Sequence, residues 1–315
     1  MSAKADTNTN DELAVQLIWL RLAQIKINEY CKEGKFYVPV HLALGHEAIA
    51  VAINKNLTHM DSLFLTHRNA HYNLVRQGSL REELDEYLLL PQGLAKGRLG
   101  SMNLSNPAKG IYYSSSILGN NLPVASGYAL GNRFKMGNSA TFVVTGDGAM
   151  EEGAFYESLL FMKSFNLSCV IIVENNGWSL ATEISERRAN INLKELAKGL
   201  DIPYFQFNNN DVFDYTQNLE TIRKQTIKDN SPVVLEVSLN TLGYWTQETP
   251  EFPEGKFINY HSGAAPNIKQ GISKDFPLID LSINDPLFVL KQYYTDSTLE
   301  ALSHKMAQKL EGENN

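Results

Sequence analysis

The sequence is short of cysteine, of basic residues relative to acidic ones, and of uninterrupted apolar runs. Each shortage excludes something. Cys31 and Cys169 are the only cysteines among 315 residues, too few and too far apart for a disulfide framework or a cysteine-based zinc site. Each lies in an apolar-periodic segment and reads as a small buried hydrophobe. Lys and Arg number 28 against 35 Asp and Glu, a formal charge of −7. With no basic stripe, a protein that tracks nucleic-acid phosphates is not expected. No apolar stretch approaches the roughly 18–20 residues of a membrane span, and MSAKADTNTNDE lacks the apolar core of a secretion signal. These absences lead us to expect a cytoplasmic chain with no membrane or nucleic-acid partner.

What is present is ordinary globular usage, 43% apolar and 20% charged, which argues against disorder. The length allows two small domains or one large one, at about 150 residues per domain. With no repeat and no Gly/Ser linker, we expect a flexible start over 1–12 and one domain over 13–315. ELAVQLIWLRLAQIKINEYC carries helical spacing behind Asp11 as N-cap. HEAIAVAINKNL predicts a second helix, and SLREELDEYLLL a third, opened by Ser79 with Glu82 at capping-box spacing. Pro91 to Asn121 loses periodicity, and a stretch that long is usually functional. Beyond it, helices over Leu122–Arg133, Ala154–Phe165, Leu193–Leu200 and Asp214–Lys228 alternate with apolar strands. Those strands are Thr141–Thr145, Cys169–Glu174, Tyr204–Phe207 and Pro232–Leu239. Such alternation predicts an α/β fold, a mostly parallel sheet with helices on both faces. Thr241–Phe276 reads as a long loop, and Asp285–Tyr294 and Ser297–Glu311 as closing helices.

Two strand ends are chemically loaded. TFVVT runs into Gly146-Asp147-Gly148-Ala149 and then a helix; CVIIVE runs into Asn175-Asn176-Gly177-Trp178. Asp147 and Asn176 stand 29 positions apart, room for one helix and one returning strand, so a right-handed crossover sets both at one edge of the sheet. A carboxylate and an amide oxygen are hard ligands suited to Mg²⁺, which completes its shell with water and phosphate oxygens. Glycines around Asp147 let the backbone approach a phosphate, and the first-turn amides at Gly148 and Ala149 can bind it. The spacing thus predicts a Mg²⁺-bridged diphosphate.

GDGA at a strand end, then a helix, an apolar strand and NN, is the thiamine-diphosphate motif. The sequence resembles the alpha subunit of two-chain 2-oxo acid dehydrogenases, of the pyruvate or acetoin dehydrogenase decarboxylating type. HLALGHEA (His41–Ala48), LTHRNAHYNLVRQG, KGRLGSMNL, SILGNNLPVASGYAL, GDGAMEEGAFYESL, VENNGWSLAT and NDPLFVL match family segments in order, from Leu13 to the C-terminal helices.

The resemblance implies a thiamine-diphosphate-binding fold and the following roles. Asp147, Asn176 and the Trp178 carbonyl hold Mg²⁺; Gly148, Ala149, His67 and Arg68 bind the diphosphate. Ser116 and Leu118 meet the aminopyrimidine, and Leu180 is the apolar wedge that bends the cofactor. His41 and His71 line the reactive end, where histidines transfer protons and stabilise developing charge. It further implies oxidative decarboxylation of a small pyruvate-like 2-oxo acid and a beta-type subunit in an α2β2 assembly. A lipoyl acyl-carrier component would accept the product. The chain departs from the family in several places. Asn103 and Ser116 replace a His and a Gly, His46 stands for a Gln and reads as a structural hydrogen-bonder, and one extra residue separates Arg68 from His71. NTLGYWTQETPEFP lacks a loop histidine for which His261 could substitute. Two other readings stay open: the N-terminal half of a split transketolase-like carboligase, and a non-catalytic cofactor-fold module that organises a partner.

Overall fold

The computed structural model describes residues 7–135, 138–268 and 276–313. The chain opens with α1 (Thr7–Lys32) and α2 (Glu47–Asn56), then β1 (Ser62–Thr66), α3 (Ala70–Gln77), α4 (Arg81–Tyr87) and β2 (Ile111–Ser115). The central part alternates: α5 (Asn121–Arg133), β3 (Thr141–Gly146), α6 (Gly153–Ser164) and β4 (Cys169–Asn175). A small ribbon, β5 (Trp178–Ser179) with β6 (Thr182–Glu183), leads to α7 (Ile184–Arg187) and α8 (Leu193–Gly199). Then come β7 (Tyr204–Phe207), α9 (Val212–Asp229), β8 (Val233–Ser238), the hairpin β9 (Tyr244–Thr249) and β10 (Phe252–Asn259), α10 (Pro286–Leu290) and α11 (Asp296–Glu313).

Six strands form one sheet in the order β2-β1-β3-β4-β8-β7, and every pairing in it is parallel. Successive strand residues face opposite ways, and each face meets its own helices. Leu63, Leu65, Phe142, Val144, Val170 and Ile172 join the core containing α1, α2 and α9 residues. Phe64, Val143, Cys169, Ile171 and Val173 join the core beneath α5, α6 and α8. The expected doubly covered parallel sheet is therefore observed. Among the described residues no helix is long and apolar enough to cross a membrane. Cys169 is buried as expected, whereas Cys31 is half-buried.

Local expectations failed where tertiary contacts outbid local signals. Helix α1 already runs from Thr7, so Asp11 lies inside it and accepts a hydrogen bond from Tyr294 Oη at 2.9 Å instead of capping. Helix α4 opens at Arg81 without a side-chain cap. The Glu82 carboxylate is taken by Gln77 Nε2, and Leu80 N–H is satisfied by Glu313 at 3.0 Å. Thr241–Phe276 contains an antiparallel hairpin where a loop was expected; residues 269–275 lie outside the described residues.

The aperiodic stretch after Pro91 is organised by one buried carboxylate. Glu86, fully buried, accepts backbone N–H bonds from Ala95, Gly97 and Leu99 at 2.8 Å and from Gly100 at 3.0 Å. Gly97 has φ +68, and a Cβ there would come within 2.4 Å of the Leu89 carbonyl carbon, so no other residue fits. In Glu86→Gln one acceptor becomes a donor facing N–H groups. At 1–3 kcal/mol per stranded group, we expect a loss of about 2–4 kcal/mol in urea unfolding.

Candidate active site

In an open parallel sheet the ligand crevice lies beyond the carboxyl ends, where strand order reverses. Here the chain steps from β1 out to β2 and returns to β3 on the other side of β1. A cleft opens at that point, lined by the ends of β1, β2, β3 and β4, with Leu180 and His261 on its rim.

Gly146 pairs with Glu174 across β3 and β4, so Asp147 and Asn176 leave adjacent strands one and two residues later. Both line the cleft, as the spacing predicted. Asn176 is fixed by two contacts: its Nδ2 donates to Thr241 Oγ1 at 2.8 Å, and its Oδ1 accepts from Trp178 N at 3.0 Å. Asp147 is 2% exposed and is met by the Arg187 guanidinium, Nη2 to Oδ2 at 2.5 Å. Burial raises its carboxyl pKa above the ordinary range against the lowering pull of Arg187. An internal cation already in contact with this carboxylate shows that the position accepts positive charge. The donor set, carboxylate plus amide oxygen, is that of a hard divalent ion.

Gly148 and Ala149 form the wall beside it. A Cβ on Gly148 would lie 2.9 Å from Ser179 Oγ and 3.2 Å from its Cβ, so a larger residue would have to displace the Ser179 side chain on β5. Arg68 reaches the cleft from the end of β1; its guanidinium donates to the Leu42 carbonyl and, at 3.1 Å, to the His261 carbonyl. Leu118 and Leu180 line the cleft with 42% and 65% of their surface exposed, apolar side chains still open to a ligand. Leu180 has φ +54, a left-handed conformation costly for a branched side chain and typical of functional positions.

The histidines separate into two groups. His41, His67 and His261 pack ring to ring, with centroids 4.6, 4.9 and 5.6 Å apart. His41 thus sits at the cleft through its neighbours, and His261, a stand-in expectation, does reach the site. His71, expected at the reactive end, is fully buried on α3 and packs against Tyr72 behind Glu174. It is absent from the cleft lining. Ser116 is exposed and only its neighbours Ser115 and Ile117 line the cleft; its N–H is held by Asn103 Oδ1 at 3.2 Å. Arg187, Thr241 and Glu174 were missed, although a charged residue ending an apolar run, as in CVIIVE, is a signal for Glu174.

Burial, then repulsion between a His41 cation and the positive charge of His67 (when protonated) and Arg68, lowers the His41 pKa to about 2. His67 falls to about 3 and His261 to about 4, for burial and for Arg68. All three are neutral at pH 7. The sign follows: the unfolded chain takes up these protons near pH 6.5, the folded chain only at much lower pH. Their contribution to stability is therefore complete above about pH 6.5 and is lost as pH falls toward 4. We expect His67→Asn to shrink the drop in melting temperature between pH 7.5 and 5.5 relative to the unaltered chain.

A profile of the family described as Dehydrogenase E1 component matches residues 16–241. The chain is 28% identical over 225 residues to the alpha subunit of the mitochondrial pyruvate dehydrogenase E1 component of Chaetomium thermophilum, covering 71% of this chain and 54% of that protein. It is also 28% identical over 221 residues to the alpha subunit of the acetoin:2,6-dichlorophenolindophenol oxidoreductase of Bacillus subtilis, covering 70% and 66%. The chain thus spans about half the length of the pyruvate dehydrogenase subunits it matches. Transketolase from Campylobacter jejuni shares the fold at TM-score 0.60 and 15% identity, over 96% of this chain and 48% of that one. With more than half its length inside the profile, the chain belongs to the dehydrogenase E1 component family.

Proposed function

We propose that this protein is the alpha-type subunit of a thiamine-diphosphate-dependent 2-oxo acid dehydrogenase, holding the Mg²⁺-diphosphate half of the cofactor. The observation that carries this is the meeting of Asp147 and Asn176 at neighbouring strand ends in one cleft, beside Arg68 and His67. Family membership supports the dehydrogenase reading over the transketolase-like one.

When bound, thiamine diphosphate supplies the electron sink that decarboxylation of a pyruvate-like 2-oxo acid requires. The chain's own residues do the rest. Asp147, Asn176 Oδ1 and the Trp178 carbonyl hold Mg²⁺. Gly148, Ala149, His67 and Arg68 bind the diphosphate, Arg68 with the planar fork suited to phosphate. Leu118 would flank the aminopyrimidine and Leu180 would press against it; Ser116, outside the cleft lining, takes no part in this reading. His41, beside His67 and His261, holds or moves the proton at the substrate oxygen. His71 takes no part in this reading.

Among the described residues, the carboxylates lining the cleft are Asp147 and Glu174, at the ends of β3 and β4. The carboxylate that activates the pyrimidine therefore comes, on this reading, from a beta-type subunit in an α2β2 assembly, with a lipoyl carrier as acceptor. Thiamine diphosphate and Mg²⁺ titrated into the chain should bind weakly alone and tightly with a co-expressed beta-type subunit. Reduction of an artificial electron acceptor by pyruvate should need both chains. Turnover by this chain alone would defeat the shared site, and condensation of pyruvate with an added aldehyde in place of acceptor reduction would favour a carboligase.

A further inference from the structure

Behind the cleft lies a second group of ligating side chains that the proposed chemistry does not use. His46 sits just before α2, His71 on α3 and Glu174 at the end of β4, with 2%, 0% and 6% exposure. Their ligating atoms all lie within 4.8 Å of one another. His46 Nδ1 is 3.4 Å and His71 Nε2 is 3.6 Å from the same oxygen, Glu174 Oε1. These separations are long for hydrogen bonds, and His46 Nδ1 and both ring nitrogens of His71 have no hydrogen-bond partner. Two of these three orphaned buried nitrogens, His46 Nδ1 and His71 Nε2, face one carboxylate, and they are costly as they stand.

We infer that His46, His71 and Glu174 form a buried site for a zinc-class divalent ion, separate from the Asp147–Asn176 position. In a tetrahedral site with bonds of about 2.0–2.1 Å, neighbouring ligand atoms stand roughly 3.3–3.4 Å apart, close to both observed separations. Two imidazoles and a carboxylate form a donor set suited to such an ion, with one position left open. The outer supports are in place. His46 Nε2 is 2.8 Å from Thr241 Oγ1, and Tyr72 Oη donates to Glu174 Oε1 at 2.9 Å, contacts of the kind that orient metal ligands. When Nε2 donates to Thr241, His46 Nδ1 turns a lone pair toward an anionic oxygen, a contact that an intervening cation resolves. His46 and Glu174 also line the cleft, which gives an ion its way in. The other histidine cluster, His41, His67 and His261, meets the same spacing, but the Arg68 guanidinium acts on all three and opposes a dication.

The test uses the full chain, stripped with chelator and titrated with Co²⁺ in equilibrium dialysis with visible spectra. One Co²⁺ per chain with tetrahedral ligand-field bands is expected, undisplaced by excess Mg²⁺ and unchanged in Asp147→Asn. His46→Gln, whose amide can still reach Thr241, and His71→Asn should each weaken binding at least about tenfold. The inference is overturned by no stoichiometric Co²⁺ in the unaltered chain, or by bands that Mg²⁺ or Asp147→Asn removes. Bands that survive a folded His46→Gln or His71→Asn variant overturn it equally. Circular dichroism establishes folding; should His71→Asn fail to fold, His46→Gln decides, and should both fail, the Mg²⁺ and Asp147→Asn arms decide. Failure here leaves the reading of the cleft untouched, since none of these measurements depends on catalysis.

Discussion

Asp147→Asn is expected to abolish Mg²⁺-dependent binding of thiamine diphosphate and all turnover while leaving the fold intact. Of the two carboxylates that line the cleft, Glu174 is bound by Tyr72 and faces His46 and His71, so loss of Asp147 removes the charge that attracts the cation. Removing an outer-shell partner of a metal typically costs 10–100-fold in affinity, and loss of the ligand itself should cost at least about 100-fold. Stability should move the other way or not at all. Burial raises the Asp147 pKa in spite of Arg187, which marks a charge held at an energetic cost, and asparagine removes it. Arg187 is not stranded, because it also pairs with Glu151. Calorimetric titration and a melting curve of the same variant check both halves. A normal melt with lost binding supports the enzyme reading. Unaltered function in the folded variant would instead support a module that only organises a partner.

The site was legible where chemistry sits next to a strand end. Asp147 and Asn176 are local to two apolar strands, and parallel pairing of β3 with β4 follows from a helix-length connection, so sequence spacing translated into proximity. It was less legible at His71, which belongs to a recognisable segment yet is fully buried and absent from the cleft lining. Strand β1 has three apolar residues, Leu63–Leu65, too few for a periodic signal, and β2 reads IYYSS; both are strands because β3 gives the sheet a side on which to extend. Helix α3, eight residues long, is too brief to announce itself. Arg187 and Glu86 act across 40 and up to 14 positions, and nothing in the local pattern says that one meets Asp147 and the other gathers a loop. The hairpin β9–β10 is polar and exposed along most of its length, so no buried face marks it as strand.

Arg21→Met is expected to cost the most stability of any single change considered. Arg21 is completely buried in α1 and binds two carboxylates: Glu47 at 2.6 and 3.1 Å, and Asp285 at 2.9 and 3.0 Å. Both partners are also fully buried. Methionine matches the apolar stem but strands two anions with one another. Breaking a buried pair by removing one partner costs about 3–5 kcal/mol, and here two are broken against a total domain stability of roughly 5–15 kcal/mol. Little folded protein should remain at 37 °C. The partners have other duties that explain why the charge is kept. Asp285 Oδ1 caps α10 through Leu287 N at 2.9 Å, and Glu47 Oε2 holds Gly45 N at 2.7 Å. Arg21→Met combined with Glu47→Gln and Asp285→Asn should recover part of the loss by removing the stranded charges. It should recover no more than part, because Asp285 Oδ2 also accepts from Ile279 N and Asp280 N at 2.9 and 3.2 Å and an amide cannot serve both sides. Independent contributions would add further damage. Urea unfolding of the single and triple variants decides between the two. Because Glu47 anchors Gly45 beside His46, and the Leu42 carbonyl just upstream holds Arg68, the triple variant should also recover Mg²⁺-dependent thiamine diphosphate binding. Stability restored without binding would show that the triad does more than hold α1, α2 and α10 together: its charge would then set the geometry of the segment that carries the cleft's cation.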